Sequence, residues 1–199
     1  DSNTLVVSVC QSGETADTLA AMGEATRKGA RQITLCNYPG TQTTRVADST
    51  ILLRAGVEIG VAATKTFMCS LADLYLLALY LGVKRGTLNQ GRLELAIKEL
   101  AHLPVMMGTL LSDHDRYETM AHEYAKYSDF LYLGRGINFP LAMEGALKLK
   151  EISYIHAEGY QAGEMKHGPI SLIDENMPVV ALAPRDDLYE KMLSNINEV

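Results

Sequence analysis

No block of lysine or arginine occurs in these 199 residues, and acidic side chains outnumber basic ones 24 to 18. A net charge of −6 with no local basic patch argues against a nucleic-acid backbone as partner. Long apolar runs are lacking as well. The longest, Leu74 to Leu81, is too short to span a bilayer and is expected to form the buried face of a helix, so no membrane is expected as partner. Nor does the chain open with the charged, apolar and small-residue segments of a secretory signal. Cysteine is scarce. Cys10, Cys36 and Cys69 are odd in number, widely spaced and without an accompanying histidine pattern, which disfavours a disulfide framework and zinc. A reducing cytoplasm fits that usage best. What is present is apolar material, 47% of the residues, enough to bury one large domain or two small ones.

Short apolar strands alternate with helical periodicity along the chain. Leu5–Val9 predicts a strand, and Thr15–Lys28, closed by Gly29, predicts a helix. Ile33–Cys36 and Thr50–Leu53 predict further strands, separated by the turn-rich Asn37-Tyr38-Pro39-Gly40. Lys65–Leu81 is apolar almost all round and is expected to be mostly buried. Helices are then expected over Leu88–Leu111, Asp113–Tyr127, Pro140–Ile155 and Asp187–Val199, with strands at Phe130–Leu133 and Val179–Leu182. This alternation implies parallel sheets flanked by helices, the doubly wound α/β class, in which ligands bind beyond the carboxyl ends of the strands. Two subdomains are expected, 1–86 and 113–199, joined by a helical segment over 87–112, with the seam near Lys84–Gln90. The chain begins directly before a core-type strand and closes inside an amphipathic helix. Both subdomains are therefore expected to be incomplete, as in a piece of something longer.

Chemistry concentrates in two places. Cys10-Gln11-Ser12-Gly13-Glu14-Thr15-Ala16-Asp17-Thr18 carries a strand through a Ser/Gly/Thr turn into a helix start. Unpaired N–H groups converge there, hydroxyls stand beside them and the helix dipole adds partial positive charge, so an anion such as phosphate could be held without Lys or Arg. The same residues also suit plain helix caps. Farther on, Glu144, Lys148 and Glu151 stand at i, i+4 and i+7, hence on one helix face. That face is either a solvated salt-bridge ladder or an acid/base surface that moves a proton between neighbouring carbons. Downstream, His167 lies in the Gly- and Pro-bounded loop Gly163-Glu164-Met165-Lys166-His167-Gly168-Pro169, where it is either an inert surface residue or one exposed to substrate.

Together with Glu58-Ile59-Gly60-Val61-Ala62-Ala63-Thr64-Lys65, these segments resemble the isomerase part of the glutamine–fructose-6-phosphate transaminases, the glucosamine-6-phosphate synthase family. The resemblance runs nearly end to end, with three motifs in the family's order and approximate spacing. It implies a sugar-isomerase (SIS) fold of two doubly wound subdomains in a cytoplasmic homodimer. It also implies conversion of fructose 6-phosphate and glutamine to glucosamine 6-phosphate and glutamate for amino-sugar synthesis, with a glutaminase domain in the parent and no metal or organic cofactor. In the roles it implies, Cys10, Gln11, Ser12 and Thr15 hold the sugar phosphate. The backbone around Val61 and Ala63 meets sugar hydroxyls, with Glu144 also among the substrate-binding residues. Glu151, with Lys148 beside it, moves the proton between C1 and C2, and His167 assists ring opening.

Two positions depart from the family pattern. Cys10 replaces the usual Ser with a weaker donor and a larger atom, and Ala63 lacks the hydroxyl of the usual Ser. The family's glutaminase cysteine, its earlier Cys-Gly-Thr-Ser-type phosphate loop and its imine-forming lysine are not found here, so the chain by itself is expected to be inactive in the covalent step. Two other functions share the fold: a non-catalytic sugar-phosphate-binding module, and a glutamine-independent sugar-phosphate isomerase or deglycase. Glu151 and His167 favour an enzyme, because a module that only binds needs no acid/base groups.

Overall fold

The computed structural model describes residues 1–199 and divides into two compact units, Asp1–Gly108 and Thr109–Val199. In the first, strands β1 (Leu5–Val9), β2 (Arg31–Cys36) and β3 (Ser49–Leu52) form a wholly parallel sheet in the order β1-β2-β3. Helix α1 (Ala16–Arg27) makes the crossover from β1 to β2 and buries Met22 and Ala25. The short α2 (Gln42–Val46) links β2 to β3. Central β2 is the best covered strand, with Thr34, Leu35 and Cys36 all at 0% exposure. Helices α3 (Lys65–Lys84) and α4 (Gln90–Leu111) follow, so most of the expected 87–112 connector is a helix of the first unit.

In the second unit, helix α5 (His114–Tyr124) precedes a parallel sheet of β4 (Asp129–Gly134), β5 (His156–Gln161) and β6 (Val179–Ala181) in the order β5-β4-β6. Helix α6 (Asn138–Ser153) makes the crossover from β4 to β5. Two 3-10 turns, Ala162–His167 and Pro169–Leu172, follow β5, and α7 (Tyr189–Glu198) ends the chain. Central β4 shows the period of two that a doubly covered strand requires. Its Leu131 and Leu133 pack with Ala162, Met165 and Met192 on one side, while Phe130 packs with Ala146 and Ala157 on the other.

Three expectations need correction. Strand β5 was not foreseen, because His156-Ala-Glu-Gly-Tyr-Gln161 has no apolar alternation. Its inner positions are small for a reason outside the strand: a Cβ at Gly159 would lie 2.7 Å from Cα of Met143 on α6. Helix α6 stops at Ser153 rather than Ile155, with Tyr154 in a left-handed cap at φ 62°. Helix α3 is not mostly buried. Only Thr66 and Leu79 are, while Leu71, Tyr75, Leu76, Tyr80, Leu81 and Val83 are exposed. A helix apolar all round needs neighbours all round, and the first unit does not supply them on this face. By length and composition α3 could also cross a membrane, with mean hydropathy 1.7 and 11% of its window buried. The eight-residue run considered above underestimates this, because the apolar character extends over the helix as a whole.

Candidate functional site

Three loops gather at the carboxyl ends of β1, β2 and β3. The first turns at Gly13, whose φ of 72° suits glycine and where a Cβ would come within 2.3 Å of Thr41 Oγ1. It is tied to the second loop by Asn37 N donating to Gln11 O (3.2 Å) and Thr43 N to Gly13 O (3.1 Å). Glu14 Oε1 and Oε2 accept from Gln42 N (2.9 Å) and Gln42 Nε2 (2.6 Å), so the start of α2 already has its anion. The start of α1 carries Asp17 in its first turn but has no such bonds from a carboxylate. Thr15 is its N-cap residue but makes no side-chain cap bond, and the first turn begins with Leu19 N donating to Thr15 O (3.0 Å). The N–H groups of Ala16, Asp17 and Thr18 therefore precede the helical ladder, beside the exposed Thr15. Ser12 Oγ is turned back to accept from Glu14 N (3.3 Å). The Cys10 thiol lies beneath the turn, donating to Leu35 O (3.1 Å) and touching the hydroxyls of Thr34 (3.6 Å) and Thr43 (3.5 Å).

The third loop, 53–64, is stitched to the second by Asn37, which donates to Gly56 O (2.7 Å) and accepts from Ala55 N (3.0 Å). Glu58 caps α3: it accepts from Thr66 N (3.1 Å), Thr66 Oγ1 (2.9 Å) and Thr64 Oγ1 (3.0 Å). These bonds, the Thr66 N–H first, hold its carboxyl down at about 2. Val61 stands 91% exposed above this cap, and Ala63 is half-buried. Asn37, Thr41, Thr43 and Glu58 are the residues that sequence reasoning missed here. Asn37 and Glu58 sat within quoted segments, but what they bind lies 6 to 19 residues along the chain.

In the second unit, α6 presents Glu144, Lys148 and Glu151 together. Lys148 Nζ lies 3.2 Å from Glu144 Oε1 and 2.7 Å from Glu151 Oε2, and all three side chains are only 22–28% exposed. Burial opposes the Lys148 charge, but the bonds it donates to Glu151 and Glu144 outweigh it and hold the ammonium above its ordinary pKa. This is a partly desolvated charge cluster rather than a fully solvated ladder. His167 lies at the end of the first 3-10 turn, 76% exposed, with Glu164 4.0 Å away. Arg135, at the carboxyl end of β4, was not singled out by sequence; its Nη1 donates to Asn195 Oδ1 (2.7 Å).

No three His, Cys, Asp or Glu side chains gather as a metal site. A cavity of about 520 Å³ in the second unit lies among Met120, Tyr124, Phe130, Leu149, Ile155 and Val179. Its apolar walls include none of the residues above and do not suit a phosphorylated sugar.

The SIS domain family matches residues 1–80 and 123–199. The glutamine–fructose-6-phosphate aminotransferase [isomerizing] of Thermus thermophilus is 50% identical over the whole chain, which covers 33% of that relative. The enzyme of the same name from Rhizobium meliloti is 50% identical over 96% of the chain and 32% of its own length. The chain thus spans about a third of the length of these curated relatives. Among solved structures, the C-terminal domain of glucosamine-fructose-6-phosphate aminotransferase from Francisella tularensis superposes with a TM-score of 0.95 at 40% identity, covering 98% of this chain and 55% of that one. Tagatose-6-phosphate ketose/aldose isomerase from Escherichia coli shares the fold at a TM-score of 0.72 and 21% identity, over 98% of this chain and 53% of that one.

Proposed function

Because the chain belongs to the SIS domain family, we propose that it is the sugar-phosphate isomerase region of a glutamine–fructose-6-phosphate aminotransferase, acting with a glutaminase domain in a cytoplasmic homodimer. Its relatives at 50% identity carry that name over the whole length of this chain. The substrates are fructose 6-phosphate and glutamine, and the products glucosamine 6-phosphate and glutamate. No metal or organic cofactor, nucleic acid or membrane takes part.

The observation that carries the isomerase reading is the Lys148 ammonium held between Glu144 and Glu151 on one partly buried helix face. A carboxylate positioned by a cation in a semi-dry site can take a proton from one sugar carbon and return it to the next. Glu151 does this, and Lys148 fixes its carboxylate. The open start of α1, with Gln11, Ser12 and Thr15, receives the phosphate, because its dipole and unpaired N–H groups offer positive character where no cation stands. Cys10 supports the turn from below. The backbone around Val61 and Ala63 meets the sugar hydroxyls, Glu144 lies at the same substrate face as Lys148, and exposed His167 assists ring opening.

The test is Glu151→Gln in the full-length protein, which keeps the side chain's shape and removes the base. Turnover and solvent-proton exchange into the sugar should fall about 10²–10⁴-fold, while fructose 6-phosphate binds nearly as before. Full turnover and exchange in that variant would return the face to a salt-bridge ladder.

A further inference from the structure

We propose that Cys10 and Cys36 form a reversible disulfide when the protein meets a hydroperoxide, making the base of the β1–α1 turn a redox-sensitive clasp. Cys10 N donates to Leu35 O (3.0 Å), directly continuing the β1–β2 ladder in which Val9 pairs with Leu35. Cys10 and Cys36 are thus the next pair in the parallel register, with side chains on the same face. Neighbouring strands lie about 4.8 Å apart, within the roughly 4.4–6.8 Å between Cα atoms that a disulfide spans.

The side chains bear this out. Cys10 Sγ touches Thr43 Oγ1 (3.5 Å), Cys36 Sγ touches Thr41 Oγ1 (3.5 Å), and the two hydroxyls touch each other (3.4 Å). Each thiol also acts directly on the other's ionisation. Exposure, not acidity, divides the labour. Cys10 is half-buried and reachable, whereas Cys36 is completely buried. Burial raises the Cys10 thiol. Burial works the same way on Cys36, but its hydrogen bonds with the Thr41 hydroxyl, the Tyr38 carbonyl (to which Cys36 Sγ donates), Thr43 and Cys10 outweigh it and lower its pKa.

The chemistry balances in two steps. The Cys10 sulfur attacks the peroxide O–O bond, becoming a sulfenic acid and releasing water. The Cys36 sulfur then attacks the Cys10 sulfur, the S–O bond breaks and a second water leaves. Two thiols and one hydrogen peroxide thus give one disulfide and two waters. Cys69, on α3, has no part in this and serves as an internal control.

The experiment exposes the reduced chain to a small molar excess of hydrogen peroxide, alkylates what remains and maps the cysteines by mass. Trypsin places them on three peptides, residues 1–27, 32–45 and 66–84. Most chains should lose two hydrogens and yield the first peptide joined to the second, with Cys69 alkylated. Dithiothreitol should restore both thiols. In Cys36→Ser, Cys10 should instead advance to the sulfinic acid. Wild-type protein that gives Cys10 sulfinic acid with Cys36 still free overturns the proposal, as do cross-links to Cys69 as abundant as the Cys10–Cys36 pair. This readout involves the thiols alone, so its failure and that of the sugar-phosphate reading are separate results.

Discussion

Glu58 shows how much one side chain can organise. Its carboxylate takes two N-terminal donors of α3 and the Thr64 hydroxyl, fixing the loop that carries Val61 and Ala63 to the helix behind it. With its folded pKa at about 2 against an ordinary 4.5, the native state favours the ionised form. The resulting stability is fully present above pH 4.5 and is lost as the pH falls through about 2. Glu58→Gln should therefore be less stable than wild type at pH 7, with the gap closing toward pH 2. Urea midpoints measured across that range check it, and a gap independent of pH would remove Glu58 from the role of charged cap. None of this was legible in the sequence. The segment was recognised as a motif, but a carboxylate reaching Thr66 depends on how 59–64 folds back, and no local periodicity encodes that. Cys10 and Cys36 were hidden for a related reason: only parallel pairing of β1 with β2 makes neighbours of residues separated by a whole helix.

At the scale of elements, helix α6 and the turn into α1 were the most legible parts. The Glu144, Lys148 and Glu151 face follows from the helical period alone, and the helix start after Thr15 follows from Ser, Gly and Thr behind an apolar strand. Strand β5 was invisible because its composition answers to α6 rather than to strand propensity. Met143 packs so closely on β5 that only glycine fits at 159. Gly159→Ala should thus push α6 off the sheet and cost about 1–3 kcal/mol, the usual range for overpacking a tight contact. Chemical denaturation measures the loss. Because α6 carries the proton-transfer face, the same variant in the full-length protein should lower turnover by more than it weakens binding of fructose 6-phosphate. An unchanged unfolding midpoint would mean that β5 and α6 separate freely, and the close contact would not be what fixes the face.

At the scale of the molecule, the two units differ in how completely they cover themselves. The second wraps β4 on both sides. The first leaves Leu71, Tyr75, Leu76, Tyr80 and Val83 of α3 at 40–58% exposure. Apolar stripes of that extent are uncommon on monomers and mark a missing neighbour. The rest of a longer chain could supply it, and so could a second copy, which suits the homodimer proposed above. On its own, the 199-residue chain has only the second option in detergent-free buffer, so it should self-associate at micromolar concentration. Burying an apolar side chain of this size contributes roughly 1.5–3 kcal/mol. Tyr75→Glu with Tyr80→Glu removes two such contacts and sets two charges against the partner face, so association should weaken at least about a hundredfold. Sedimentation velocity reads the mass, and circular dichroism checks that helix content survives, since both positions are exposed in the chain. A wild-type chain that stays monomeric would show that the stripe does not drive pairing. A chain that instead floats with phosphatidylcholine vesicles would assign α3 to a lipid surface, the other environment that its mean hydropathy of 1.7 suits.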